Sequence, residues 1–219
     1  ERMRRAQNRG VKYIICPYRD AYYKYLAPHA GPDMELAWFP IAPSIEHYPN
    51  RTTPLSERKF AVLGSGFTNA ESLGCYDFRR WAYRQPYVST VPHCLDGDNS
   101  VPQGADFGNF LSQYAGALAL TEFFPIPKYF EIPLAGCVCF AQYHKEYEDL
   151  GFRSGTHYIG IRDVSECHDN FEKSIKDFIA RPADFQHIAD AGRQLVESKY
   201  TATHFADYIY KLAEENYGT

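Results

Sequence analysis

The sequence predicts an α/β fold in which a parallel sheet is flanked by helices and the chain ends all-helical. Three observations carry that expectation. Strand-like and helix-like segments alternate from residue 59 to residue 161, the pattern of successive βαβ units. The first of these strands, Lys59-Phe60-Ala61-Val62-Leu63, runs at once into a glycine turn, Gly64-Ser65-Gly66. Beyond residue 169 the apolar residues recur at helical spacing, as in Phe171, Ile175, Phe178 and Ile179.

Taken in order, residues 1–9 are polar and helix-compatible. Val11–Cys16 joins β-branched and aromatic residues and reads as a short buried strand that Pro17 ends. Asp20–Leu26 is expected to be helical and Glu35–Phe39 a further strand closed by Pro40. Pro40, Pro43, Pro49 and Pro54 give residues 40–56 the composition of a linker. A boundary is therefore set there, with residues 1–48 as an N-terminal βα segment plus linker and residues 49–219 as the main domain. In that domain helices are expected over Cys75–Arg84, Phe107–Tyr114, Lys128–Leu134 and Tyr143–Leu150. Strands are expected over Tyr87–Val91, Gly116–Thr121, Cys137–Ala141 and His157–Ile161, with an irregular loop over Pro92–Gly104. Gly136 reads as a left-handed helix cap. Helices over Asp169–Ala180, Phe185–Tyr200 and Thr203–Asn216 complete the chain.

Composition narrows the classes of function. A chain of 219 residues can bury a real core. Its net charge of -4 provides no broad basic field, so nucleic acid is not an expected partner. The longest apolar stretches are strand-length, short of the roughly 20 residues a helix needs to cross a bilayer, and no membrane span is expected. The cysteines at 16, 75, 94, 137, 139 and 167 lack the paired spacing of a zinc site. A reduced, cytoplasmic setting follows. The chain begins with Glu and shows no signal-peptide apolar region, which reads as a piece of a longer parent chain with another domain. The 18 tyrosines suit carbohydrate contact and equally any Tyr-rich surface.

Few residues offer chemistry. Ligands of parallel α/β sheets sit beyond the carboxyl ends of the strands, and Gly64-Ser65-Gly66 presents backbone there with no Cβ to obstruct a phosphate. A tight βα turn accounts for the same residues. Lys128 and Glu131 lie three apart, on one face of a helix. A diphosphate suits the cation and a ribose suits the carboxylate, although a surface Lys–Glu pair has this spacing too. Asp96-Gly97-Asp98 could hold a divalent ion, but its surroundings are also those of a turn. Ser65 lacks the G-x-S-x-G setting of a nucleophile, so no hydrolase triad is expected.

The runs KYFEIPLAGCVCFAQ (128–142), LGFRSGTHYIGI (150–161) and HIADAGRQLVESKYTATHFADYIYKL (187–212) resemble the C-terminal lobe of GT-B glycosyltransferases. The nearest type is the group-1 enzymes similar to spore-maturation proteins, and the resemblance covers about residues 35–219. It implies a Rossmann-like domain that binds a nucleoside-diphosphate sugar, UDP-linked, as substrate and needs neither cofactor nor metal. Gly64, Ser65, Gly66, Arg79 and Lys128 would then serve the diphosphate, Glu131 the ribose, and His93 and Tyr129 the vicinity of the nucleotide. The implied reaction moves a hexose or deoxyhexose, for example glucose or rhamnose, to a hydroxyl of a glycan acceptor. Asp20 and His29 are the titratable groups on the acceptor side. Glu122 is a candidate sugar contact, although it precedes Glu131 by nine residues where many such enzymes have eight. A non-catalytic sugar-nucleotide or glycan-binding module, and a sugar-nucleotide-modifying α/β enzyme, are the alternatives.

Overall fold

The computed structural model describes residues 1–66, 68, 77–91, 104–121, 123–162 and 168–217. Its larger sheet contains β3 (Lys59–Gly64), β4 (Ser89–Thr90), β5 (Tyr114–Ala119), β6 (Val138–Gln142) and β7 (Ile159–Ile161). These run in the order β4-β3-β5-β6-β7, all parallel. A smaller parallel sheet pairs β1 (Tyr13–Cys16) with β2 (Glu35–Trp38). The helices are α1 (Arg2–Asn8), α2 (Arg19–Ala21), α3 (Asp77–Tyr83), α4 (Ala105–Leu111), α5 (Lys128–Leu134) and α6 (Lys145–Asp149), with α7 (His168–Ala180), α8 (Gln186–Lys199) and α9 (Ala202–Tyr217) closing the chain. The predicted α/β class, with its helical C-terminus, is the observed one. Among the described residues no helix is long and apolar enough to cross a membrane.

Strand alternation builds two cores, one on each face of the larger sheet. Cys137, Cys139 and Ala141 turn toward Tyr129, Phe130 and Tyr147 of α5 and α6. Val138 and Phe140 turn the other way, toward Phe171, Ile175 and Phe178 of α7. The two neighbouring cysteines therefore share a buried face, as their spacing predicts.

The bounds of α5 follow from its own residues. Pro133 has no N–H to return to the carbonyl of Tyr129, and the Tyr147 hydroxyl donates to that carbonyl instead, at 2.7 Å. Gly136 ends the helix at φ +72, and a Cβ there would stand 2.0 Å from the Arg51 carbonyl oxygen. Only glycine meets both conditions.

Several expected elements differ in detail. The helix expected over Asp20–Leu26 is three residues of α2 followed by a π turn, Tyr22–Leu26, and a 3-10 turn, Ala27–His29. Pro28 lies in that last turn and cannot continue an α ladder. Of the strand expected over Tyr87–Val91 only Ser89–Thr90 pairs, with Leu63 and Gly64, which keeps the sheet edge short. β5 starts at Tyr114, two residues before its expected start, because Tyr114 pairs with Lys59. The Pro-rich segment 40–56 is packed against the larger sheet: Tyr48 and Leu55 are buried, and Arg51 pairs with Glu197 at 2.6 Å. Next to it the buried Arg58 guanidinium donates to the carbonyls of Thr53 and Ala135.

This topology fixes where a ligand would meet the sheet. From β3 the chain moves outward to β4 and then crosses to β5 on the other side of β3. The order reverses between β3 and β5, and such a switch point opens a crevice at the carboxyl ends of the two strands.

Candidate functional site

The first wall of that crevice is the turn after β3. The Ser65 carbonyl accepts from the Tyr83 hydroxyl at 2.6 Å and from the Lys128 ammonium, which also donates to Ser65 Oγ at 2.6 Å. Three segments distant in sequence thus converge on one peptide. Their approach dictates the glycines. A Cβ on Gly64 would lie 2.8 Å from the Tyr83 ring. Gly66 adopts φ +98, where a larger residue is strained by the backbone, and a Cβ there would lie 2.9 Å from Lys128 Nζ and push the ammonium aside.

Arg79 approaches from α3. Its guanidinium is 5% exposed, and Nε and Nη2 both donate to the Leu120 carbonyl just past β5, the former at 2.7 Å. It ties the end of β5 to α3 and places a buried positive charge behind the crevice. Glu131 lies one helical turn beyond Lys128 on α5. Burial pushes its carboxyl above the ordinary value, and the Lys128 charge pulls it back down. Tyr129 does not join them: its side chain is fully buried, with the hydroxyl donating to the Gln142 carbonyl at 2.7 Å. His93, Asp96, Asp98 and Glu122 lie outside the described residues. Among the described residues no group of three or more His, Cys, Asp and Glu side chains is arranged to hold a metal ion.

The second wall comes from the smaller sheet. Glu146, on α6 just past the carboxyl end of β6, is 3% exposed and accepts the backbone N–H groups of Arg19 and Asp20, at 3.2 and 2.8 Å. Arg19 adds an ion pair to Asp149 at 2.8 Å and lies 4.5 Å over the Trp38 ring. Asp20 follows the carboxyl end of β1, so this clasp turns the carboxyl ends of the two sheets toward each other. His29 does not share the site. The chain has by then run back along α2 and the following turns to the amino end of β2, and His29 lines an open hollow of about 700 Å³ with Glu1, Arg2 and Gln7.

Between the two walls stands His144, which clusters in sequence with no carboxylate or cysteine suited to a metal. Its Nε2 lies 2.8 Å from the Thr121 carbonyl. A carbonyl only accepts, so Nε2 carries the proton and Nδ1 is left as an acceptor. Burial holds the ring below the ordinary histidine value, while Thr121 and Asp20 act in the opposite sense. The available signal was position: His144 stands two residues past an apolar strand, where a parallel sheet puts its ligands.

A row of groups thus runs along the carboxyl ends of the strands. It starts at the Gly64–Gly66 turn with Lys128, passes Arg79 and Thr121 at the end of β5, and continues through His144 to Asp20.

Solved structures share this architecture. HepE from Anabaena in complex with UDP superposes with a TM-score of 0.64 at 13% identity, over 97% of this chain and 66% of that one. Sucrose-phosphate synthase from Thermosynechococcus elongatus gives 0.60 at 13% identity, over 93% of this chain and 58% of that one. The pneumococcal O-GlcNAc transferase GtfA in complex with UDP and GlcNAc gives 0.58 at 14% identity, over 96% and 46%. The chain therefore spans about two thirds or less of the length of each, and at these identities the likeness is one of fold, that of GT-B glycosyltransferases. No curated protein sequence matches the chain. A family model described as glycosyl transferase-like matches residues 50–211, most of the length, and the chain belongs to that family.

Proposed function

We propose that this chain is the donor-binding half of a glycosyltransferase that takes a nucleoside-diphosphate sugar, UDP-linked, and moves a hexose or deoxyhexose such as glucose or rhamnose to a glycan hydroxyl. The observation that carries this reading is the Lys128 ammonium held against Ser65 at the β3/β5 crevice. A cation fixed over a glycine turn at a switch point suits a diphosphate. The two UDP complexes among the structural neighbours favour uridine as the base.

In the reaction the bond between the sugar and the diphosphate oxygen breaks, and negative charge builds on the departing diphosphate. Lys128 offsets that charge directly and Arg79 from behind β5. Glu131 accepts from the ribose hydroxyls. The incoming glycan hydroxyl approaches from the second wall, where Asp20, with Oδ1 paired to Arg19 Nε at 2.9 Å, is the carboxylate placed to take its proton. Because side chains supply the positive charge, a divalent ion is not required.

Calorimetric titration with UDP, GDP and dTDP, with and without EDTA, tests the reading. Saturable UDP binding that survives EDTA is expected. The absence of binding by all three nucleotides at millimolar concentration would end the donor-site reading. Binding abolished by EDTA would bring Asp96 and Asp98 forward as ion ligands.

A further inference from the structure

His144 is where the site's chemistry changes character. On one side of it lie the groups suited to phosphate, Lys128 and the Gly64–Gly66 turn; on the other lie Asp20 and Glu146 of the clasp. The imidazole is tied by Nε2 to Thr121, and it packs against the Tyr129 ring with centroids 5.6 Å apart. These contacts fix the plane of the ring and the nitrogen that carries the proton. The remaining nitrogen, Nδ1, has no hydrogen-bond partner among the described residues, and it is not one of their buried unsatisfied polar atoms.

A neutral lone pair of this kind repels phosphate oxygens and takes a hydrogen bond from a hydroxyl. On the proposed reading that the diphosphate lies at Lys128 and the acceptor at the Asp20 wall, the group between them is the sugar. We propose that His144 Nδ1 accepts a hydrogen bond from a hydroxyl of the donor sugar, which makes His144 a specificity-determining residue for the transferred sugar and leaves nucleotide binding to the first wall. Its tautomer is set by the protein through Thr121 before any ligand arrives, so the contact costs no proton rearrangement.

The test compares UDP with UDP-glucose by calorimetry, on the unsubstituted chain and on His144→Gln, whose side-chain amide can still donate to Thr121. The expected result is unchanged UDP affinity with UDP-glucose weakened about tenfold, the effect of one hydrogen bond. An unchanged ratio of the two affinities in His144→Gln overturns the proposal. So does a ratio of one in the unsubstituted chain, or a loss confined to turnover, which would make His144 a base toward the acceptor. If neither compound binds the unsubstituted chain, the donor-site reading fails and the sugar contact falls with it; if UDP binds normally and only the ratio is insensitive, the donor site stands and the His144 role alone is lost. Long-range ¹H–¹⁵N NMR of the imidazoles supplies a readout independent of folding in the variant. It should show His144 protonated on Nε2, with Nδ1 shifted more by UDP-glucose than by UDP. Protonation on Nδ1 overturns the proposal.

Discussion

The two walls of the crevice are built in different ways. The wall at Gly64–Gly66 and Lys128 is an outgrowth of the core: its turn leaves a strand whose last residues Val62, Leu63 and Gly64 are buried, and its lysine stands at the start of a helix whose Phe130, Ile132 and Leu134 are at most 1% exposed. The wall at Asp20 follows a strand of the two-stranded sheet and is attached through one buried carboxylate, the Arg19–Asp149 ion pair and the Tyr18–Phe124 ring contact, with centroids 4.1 Å apart. The last helix adds a second attachment, where Phe39 meets Phe205 and Tyr208 with ring centroids 5.4 Å apart. A site of this construction is preorganised for the ligand of the first wall, while the geometry of the second rests on the Glu146 clasp and a few aromatic contacts. The difference predicts which substitutions disturb both walls and which disturb only one.

The largest effect is expected from Phe140→Ala, which removes a fully buried ring from between β6 and α7. A loss of about 3–5 kcal/mol in urea unfolding is expected, with nucleotide binding lost wherever the sheet unfolds. Lys128→Ala should leave the urea midpoint nearly unchanged and weaken UDP about 10–100-fold by calorimetry, the range for a charge-assisted hydrogen bond. Unaltered UDP affinity there would remove the first wall from the site. Glu146→Ala inverts the pattern: the orphaned amides of Arg19 and Asp20 should exchange with deuterium faster, at a cost of ~1–3 kcal/mol to docking of the second wall, with UDP affinity preserved. Equal exchange in both proteins would show that the clasp holds nothing.

The smallest effect concerns pH. Burial lowers the proton affinity of His144 in the folded chain, so as pH falls through the unfolded histidine value near 6.5 the unfolded state takes up the proton first. Stability is then lost on the acid side, between that value and the lower folded one. His144→Gln lacks this contribution and should lose less stability than the unsubstituted chain when thermal melts are compared over that window. Parallel losses would place the titration elsewhere, for example at His157, whose pKa is lowered too.

How much of this could be read from the residues alone differs between the walls for the same reason. The helix Lys128–Leu134 was legible to the residue because local signals mark it: Pro127 before it, an amphipathic run within it and Gly136 after it. The glycine turn was legible for its strand-turn order. What was illegible depends on contacts across long separations. Thr121 meets His144 over 23 residues and Asp20 meets Glu146 over 126, and no periodicity reports such meetings. Tyr129 shows the converse. Lys128 beside it reaches Ser65, but the helical rotation turns the Tyr129 ring into the core. Arg58 went unnoticed because a buried guanidinium paired with carbonyls and the Cys137 sulfur, and with no carboxylate among the described residues, leaves no charge pattern in sequence.

The central claim is that the β3/β5 switch point receives the diphosphate, and backbone amide shifts on titration with UDP test it most directly. The largest perturbations are expected at Ser65, Gly66, Lys128 and Glu131, with the Asp20 segment changing less and His29 unmoved. Perturbations centred on the hollow beside His29, or none near Ser65 and Lys128 at saturating UDP, would contradict it.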